Sequence, residues 1–137
     1  MKKKFKAMVL SCIDPRFQPL VYNFLKRKKL IGEYSAFTIA GGAIGVTNNK
    51  FKKWHSVFIE NLSTSIKLHK IDKLIVINHT DCGAAKIVNG KKGFNHLIEN
   101  NIHKTSFIKL KQKLKKKFPK LKIDFNLMSL NDKIKKF

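Results

Sequence analysis

The chain has 137 residues, 43% of them apolar, and carries thirty Lys and Arg against eight Asp and Glu, for a formal charge of +22. This length suits a single domain, which we place over residues 1–137, and the apolar content excludes an extensively disordered chain. No apolar run approaches the roughly 18 residues that span a bilayer, and the first apolar stretch is too short for a signal peptide. We therefore expect a cytoplasmic protein without a membrane partner.

The positive charge raises the question of a nucleic-acid partner or a membrane surface. Only Arg16 and Arg27 are arginine, although bidentate recognition of bases and phosphates favours arginine over lysine. The lysines also occur along nearly the whole chain instead of marking one element. We interpret them mainly as solvated faces and expect no nucleic-acid partner, with a polyanion-binding surface or attraction to membranes as the alternatives.

The first forty residues predict a strand, a helix and a second strand. Residues 6–12 form a short apolar run, ended by a turn-forming Asp-Pro pair, as a buried strand would be. Apolar residues recur at helical spacing over residues 17–29. Residues 35–40 then predict a strand that ends at Gly41 and Gly42, where the backbone can approach a ligand closely.

The rest of the chain continues this alternation. A long helical pattern covers residues 49–70, residues 73–78 predict a β-branched strand, residues 94–118 are mostly helical, and residues 121–127 alternate like an edge strand. The apolar residues of the long helix that we expect to lie on the sheet are Trp54, Phe58, Leu62 and Ile66. The pattern predicts an α/β fold with a mostly parallel sheet of four to five strands, flanked by helices, and a C-terminal edge strand.

Residues suited to a functional site occur at three predicted strand ends. Cys12 ends the first strand, Gly41 and Gly42 follow the second, and His79 and Cys82 follow the third. Parallel sheets place their ligand crevice beyond the carboxyl ends of the strands. We therefore expect these segments to meet and the two glycines to contact the substrate.

Cys12, His79 and Cys82 are suitable zinc ligands. Zinc binds thiolate and imidazole groups, and three protein ligands leave a fourth tetrahedral position for water or substrate. The alternatives for the two cysteines are a disulfide or two inert, half-buried thiols.

Asp14 and Arg16 lie two residues apart in an extended segment beside the predicted site. A carboxylate paired with a guanidinium stays ionised and offers only acceptor oxygens. Asp14 can therefore orient a water on the metal ion or take the fourth position itself. A plain ion pair without a functional role is the alternative.

Considered together, these motifs resemble those of the β-class carbonic anhydrases, particularly the compact microbial members. The resemblance extends from Ala7 to about Leu130. The segments that carry it are Cys12-Ile13-Asp14-Pro15-Arg16, Ala40-Gly41-Gly42 and His79-Thr80-Asp81-Cys82-Gly83.

The resemblance implies a function and a role for each motif. The reaction would be the reversible hydration of carbon dioxide to bicarbonate by a zinc-bound hydroxide, in at least a homodimer. The zinc ligands would be Cys12, His79 and Cys82. Asp14 and Arg16 would be the catalytic dyad.

One difference from the family leaves the substrate open. Thr38 and Ile39 stand where the family usually has an Arg-Asn pair before the glycine turn. The alternatives are a zinc hydrolase of another small cumulated molecule, such as carbon disulfide or carbonyl sulfide, and a non-catalytic, zinc-containing basic binding protein. A member that keeps zinc only for structure is a further alternative.

The sequence does not identify a proton shuttle. Histidine titrates near neutral pH and is the usual candidate. We expect surface or helix-face positions for the four histidines outside the motif, His55, His69, His96 and His103.

Overall fold

The computed structural model describes residues 4–90 and 93–137, which form a five-stranded sheet with helices on both faces. The strands are β1 (Ala7–Ser11), β2 (Tyr34–Thr38), β3 (Lys73–His79), β4 (Lys122–Met128) and β5 (Ile134–Lys136). Their order in the sheet is β2-β1-β3-β4-β5, with the first four parallel and β5 antiparallel to β4. The predicted α/β fold with a mostly parallel sheet is confirmed.

The described part of the chain also contains five α-helices. They are α1 (Gln18–Arg27), α2 (Ala43–Thr47), α3 (His55–His69), α4 (Gly83–Asn89) and α5 (His96–Lys117). The two short ones, α2 and α4, were not predicted. None of the helices in the described ranges combines the length and the apolar character needed to cross a membrane.

The helix predicted over residues 49–70 is divided. Its first part is a 3₁₀ helix, Asn49–Trp54, in which Phe51 has non-helical dihedrals (φ −114°, ψ 29°). The indole of Trp54 stacks on the Phe51 ring, with centroids 4.8 Å apart. The prediction that Trp54 packs on the sheet was therefore wrong. Phe58 and Leu62, which were predicted to pack beside it, are buried in the core.

The two faces of the sheet have separate cores. Helices α2, α3 and α5 cover one face, where Met8 and Leu10 of β1 point. Helix α1 covers the other face, where Ala7 and Val9 point. All five residues of β1 are buried because both faces are covered, and this explains the uninterrupted apolar run in the sequence.

The C-terminal edge strand is β5 and not the segment predicted to hold that position. The alternating segment forms β4, which pairs with β3 along its whole length. On its other side β4 pairs with β5 only over Asn126–Met128. A strand that is paired fully on one side and only partly on the other retains the polar–apolar alternation that is typical of an edge strand.

The topology of the sheet places a crevice between β1 and β3. The chain runs from β1 to β2 on one side of β1 and then crosses to β3 on the other side. Ligands in such sheets bind where the order reverses, beyond the carboxyl ends of the strands. Cys12 follows β1 directly, and His79 is the last residue of β3.

Candidate metal centre

Cys12, His79 and Cys82 come together at this crevice. The ligand atoms that they offer all lie within 4.8 Å of one another. The three residues are buried, with exposed fractions of 7%, 2% and 1%. Both cysteines are free thiols, so a disulfide is not formed. The group could hold a metal ion, as the sequence predicted.

The His79 ring is oriented for a metal ligand. Its Nδ1 lies 2.7 Å from the carbonyl oxygen of Thr80, so Nδ1 carries the proton and donates. The ring stacks on Phe17, with centroids 4.0 Å apart. Its Nε2 is buried and has no hydrogen-bond partner among the described residues. A buried, unpartnered nitrogen beside two sulfur atoms is a position that a metal ion satisfies.

The environment of Cys12 favours the thiolate. Interaction with the Cys82 thiol lowers the pKa of Cys12 to about 4, against the effect of burial, with help from His79 and from the Asp14 and Gly41 backbone. The Gly41 N–H donates to the Cys12 sulfur at 3.2 Å. The pKa of Cys82 is raised, first by Cys12 and then by burial, so the metal-free pair retains one shared proton. Thiolate is the form that binds metals, and the site is prepared for it at Cys12.

The glycine turn requires its glycines for packing. Gly41 and Gly42 have φ of +80° and +55°. A Cβ on Gly41 would lie 2.7 Å from the Cβ of Ala84, and one on Gly42 would lie 2.6 Å from the Oδ1 of Asn78. The Gly42 N–H donates to the Ile39 carbonyl at 3.0 Å, so both glycine N–H groups are engaged within the protein. The predicted substrate contacts at this turn remain a prediction.

Asp14 and Arg16 form a close pair beside the ligand group. Asp14 Oδ1 accepts from the Arg16 backbone N–H at 2.9 Å and from Nε at 3.1 Å, and Oδ2 accepts from Nη2 at 2.7 Å. Asp14 Oδ2 also lies 3.8 Å from His79 Nε2. The hydrogen bonds from Arg16 hold the pKa of Asp14 at about 2, although desolvation opposes them. The carboxylate is therefore ionised and turned toward Arg16.

Arg16 also contacts the loop that carries Cys82. Its Nη1 donates to Asp81 Oδ2 at 2.9 Å, and its Nη2 donates to the Asp81 carbonyl at 3.1 Å. Lys86 Nζ donates to the other carboxylate oxygen of Asp81 at 2.7 Å. Lys86 and then Arg16 lower the pKa of Asp81. Sequence reasoning missed this role of Asp81, although it lies within the His-Thr-Asp-Cys motif and has a left-handed φ of 55° that Asp tolerates better than most residues.

The site opens to solvent through a shallow depression of about 460 Å³. Ile13 is 58% exposed at its rim. The residues that line it are Cys12, Ile13, Asp14, Pro15, Arg16 and Gly83. Thr38 pairs in register with Ser11, and neither Thr38 nor Ile39 belongs to the lining.

A buried polar cluster lies behind the metal-ligand loop. Glu99 accepts hydrogen bonds from the backbone N–H groups of Asp81 at 2.9 Å and Cys82 at 2.8 Å. Burial alone would raise the pKa of Glu99, but the contact with His103 and these two N–H groups lower it. His103 is on a helix face, as expected, but that face is fully buried. The sequence analysis missed Glu99, since an acidic residue in a lysine-rich helix normally faces water.

Two of the other histidines, His55 and His69, occupy ordinary packing positions, and His96 is exposed at the start of α5. His55 Nε2 lies 3.0 Å from the Asn48 carbonyl oxygen, and its pKa is lowered, first by burial and then by Lys113. His69 packs edge-on against Phe5, with centroids 5.3 Å apart. These contacts agree with helix-face positions.

Comparison with known proteins identifies a family and a fold. The family model described as "Putative carbonic anhydrase" matches residues 1–123. The uncharacterized protein RC0076 of Rickettsia conorii is 26% identical over 126 residues, which make up 91% of this chain and 68% of that protein.

Solved β-carbonic anhydrases share the fold at low sequence identity. The carbonic anhydrase from Glaciozyma antarctica superposes with a TM-score of 0.62 at 20% identity, covering 95% of this chain and 80% of that one. The β-carbonic anhydrase CcaA gives 0.67 at 14% identity, covering 98% and 80%.

Proposed function

The chain belongs to the carbonic anhydrase family whose model it matches, and from this premise we propose that it is a zinc-dependent lyase that hydrates carbon dioxide reversibly to bicarbonate. The observation that carries the proposal is the buried group of Cys12, His79 and Cys82 next to an ionised Asp14. Each member of the group offers one atom, and His79 Nε2 is left without another partner among the described residues.

Zinc is the metal that fits this ligand set. Two thiolates and one imidazole are borderline-soft ligands, and three protein ligands leave one tetrahedral position open. When bound, zinc supplies a Lewis acid that lowers the pKa of a coordinated water. We assign the fourth position to a small molecule and not to Asp14, because three hydrogen bonds from Arg16 already hold that carboxylate.

Asp14 and Arg16 have separate roles in this proposal. Asp14 Oδ2 lies near His79 Nε2 and, being ionised, can only accept a hydrogen bond. It orients the reacting water by accepting one of its O–H groups, which directs an oxygen lone pair toward the carbon of the substrate. Arg16 fixes Asp14 in that position and keeps it from becoming the fourth ligand itself.

The rim of the depression suits a small substrate that becomes an anion. Ile13 and Pro15 supply apolar surface for carbon dioxide. Arg16 lies in the lining, and Lys86 is joined to Arg16 through Asp81; with the charge of +22 these cations attract the bicarbonate ion. Gly41 and Gly42 remain the proposed backbone contacts to the substrate.

One experiment tests the function directly. Zinc content and carbon dioxide hydration are measured on the same preparation, for the natural protein and for the Cys12→Ala variant. We expect one zinc per chain and hydration well above that of the variant between pH 7 and 9. Protein without stoichiometric zinc, or zinc-loaded protein no faster than the variant, would overturn the proposal.

The same preparation distinguishes the alternatives. A hydrolase of carbon disulfide or carbonyl sulfide is favoured by the absence of an Arg-Asn pair at Thr38 and Ile39, and a substrate panel separates it from an anhydrase. A structural zinc protein would unfold on chelation and show no hydration. A binding protein would retain a polyanion above about 0.15 M salt, where simple charge attraction is screened.

We also propose that the chain forms a homodimer or a larger homo-oligomer. The support is the family resemblance together with exposed apolar side chains near the site, Ile13 and Ile87, which are 58% and 56% exposed. Light scattering of the zinc-loaded protein tests this, and a monomeric mass at the concentration of the assay would contradict it.

A further inference from the structure

A chain of buried polar side chains connects two loops that adjoin the metal ligands. Its members are Asn78 at the end of β3 and Glu99, His103 and Ser106 on α5. None is more than 5% exposed. Burying such groups is costly unless each finds a partner, so their arrangement must be specific.

Glu99 forms one end of this chain. Its two carboxylate oxygens accept the N–H groups of Asp81 and Cys82 at 2.9 and 2.8 Å. These are consecutive residues of the loop that places Cys82, and Asp81 has a left-handed backbone there. The carboxylate therefore fixes the backbone of the loop that carries Cys82.

Asn78 forms the other end. Its Oδ1 accepts the N–H of Ala43 at 2.9 Å. Ala43 follows the glycine turn, whose Gly41 N–H donates to the Cys12 sulfur at 3.2 Å. Asn78 thus holds the turn that stabilises the thiolate of Cys12.

His103 joins the two ends, and the hydrogen bonds determine its tautomer. Because Asn78 Oδ1 is occupied by a backbone donor, its Nδ2 is the atom that faces His103 Nδ1, at 2.9 Å. Nδ1 must then accept, so Nε2 carries the proton and donates to Glu99 Oε2 at 3.3 Å. Ser106 donates to the His103 carbonyl at 2.7 Å and fixes the same helical turn.

We propose that Glu99 is a positioning residue of the metal centre, which sets the Cys82 loop directly and the Cys12 turn by way of His103 and Asn78. The inference rests on the proposed metal-binding function. Cys12 and Cys82 come from segments far apart in the sequence, so their separation depends on whatever holds their loops. Residues behind the ligands commonly determine metal affinity in this way.

The first test needs no metal. Glu99→Gln keeps the size of the side chain but replaces one acceptor oxygen with an NH₂ group, which then faces a backbone N–H. Amide hydrogen exchange, resolved by residue, should be about tenfold faster or more at Asp81 and Cys82, since each tenfold corresponds to about 1.4 kcal/mol of lost protection. Unchanged exchange at both amides would overturn the inference.

The second test measures the metal site. Cobalt(II) affinity by competition with a chelator should fall 10- to 100-fold in Glu99→Gln, with a changed sulfur-to-cobalt charge-transfer band. Leu110→Val on the same helix is the matched control. Leu110 is fully buried in the core that α2, α3 and α5 cover, and its apolar side chain forms no hydrogen bond that could hold a ligand loop. Equal losses of affinity in both variants would reduce Glu99 to a stability role and overturn the inference.

A second variant covers the case in which Glu99→Gln does not fold. His103→Leu leaves the two N–H contacts of Glu99 in place and removes the link to Asn78. Relative to the natural protein, we expect weaker cobalt binding and faster exchange at the Ala43 amide, and natural values for both would overturn the link from Glu99 through His103 and Asn78 to the Cys12 turn. If the natural protein itself binds no metal, the proposed function fails, while the exchange measurements still decide the role of Glu99.

Discussion

The two sides of the candidate site differ in burial and in the kind of bonds that hold them. On the ligand side, Cys12, His79 and Cys82 are almost completely buried. The solvent side, which we call the mouth, consists of Arg16, Asp81 and Lys86. Their side chains are 43%, 51% and 52% exposed and are held mainly by ion pairs with one another and with Asp14. Buried hydrogen bonds are strong and geometrically demanding, whereas exposed ion pairs are weak and screened by salt.

This difference indicates which side of the site determines metal binding and which side tolerates substitution. Metal binding should tolerate little change, because the ligand side has no room for adjustment. Substitutions at the mouth should have small effects on stability. Residues there can therefore change to suit another substrate with little loss of unfolding free energy. Substitutions on the two sides of the site test this contrast.

Cys82→Ala should produce the largest effect. Removing one of three ligands should abolish stoichiometric zinc and reduce hydration to the uncatalysed rate, as measured by metal analysis and stopped-flow assay. Ser65→Ala is the control, since Ser65 is also buried and its hydroxyl pairs with that of Ser35, at 2.6 Å, away from the site. Retention of zinc by Cys82→Ala would show that the ligand side is assigned wrongly.

Gly42→Ala should strongly destabilise the turn. An alanine there adopts φ of +55° with ψ of −116°, a sparsely populated combination that costs about 1–3 kcal/mol, and its Cβ meets Asn78 Oδ1 at 2.6 Å, which adds about 1–3 kcal/mol. Gly32→Ala separates the two costs, because Gly32 has φ of +78° but open space around it. Equal losses of unfolding free energy in denaturant titrations of the two variants would show that the turn is not tightly packed.

Arg16→Gln should change the mouth without unfolding the protein. Arg16 is the main cause of the low pKa of Asp14, so the pKa of Asp14 should rise from about 2 toward its ordinary value. A depressed pKa in the folded state stabilises the protein at pH values above the unfolded pKa of about 4, and this contribution is lost as the pH falls through about 2. The stability difference between the natural protein and the variant should therefore shrink to zero over that range.

Carboxyl NMR of the metal-free protein measures this pKa directly. Lys86→Gln serves as the comparison, because Lys86 bonds to Asp81 and not to Asp14. An unchanged Asp14 pKa in Arg16→Gln would show that the pair is not formed in solution.

Lys86→Gln should itself have the smallest effect. The Lys86 side chain is half exposed, and exposed ion pairs contribute little to stability. We expect no measurable change in the denaturant midpoint or the zinc content, with at most a weaker dependence of bicarbonate dehydration on salt. A lost zinc ion in this variant would contradict the separation between the two sides.

The sequence was sufficient to predict the cluster of Cys12, His79 and Cys82 because each lies at or just beyond a strand end. Cys12, His79 and Cys82 follow apolar runs whose period and length are typical of buried parallel strands, and the topology then brings the strand ends together. The short helices α2 and α4 were missed because both begin in glycine-containing turns and are too short for a periodic pattern.

Glu99 could not be predicted, for a different reason. It precedes His103 by four residues on a lysine-rich helix, a spacing that is typical of an exposed pair on a helix surface. Only the packing of α5 beneath the Cys82 loop turns that pair inward. The stacking of Trp54 on Phe51 could not be predicted either, since a non-helical residue inside a helical pattern leaves no periodic signal in the sequence.

The parallel crossover between β1 and β3 also has a consequence for biosynthesis. The ribosome delivers Cys12 long before it delivers His79 and Cys82, because the ligands belong to the first and third strands. Until β3 has folded against β1, Cys12 is a single thiol without its neighbours, open to oxidation or to capture by another metal. On the proposed function, zinc insertion would therefore be a late event in the maturation of this chain, and Cys12 would need protection from oxidation until then.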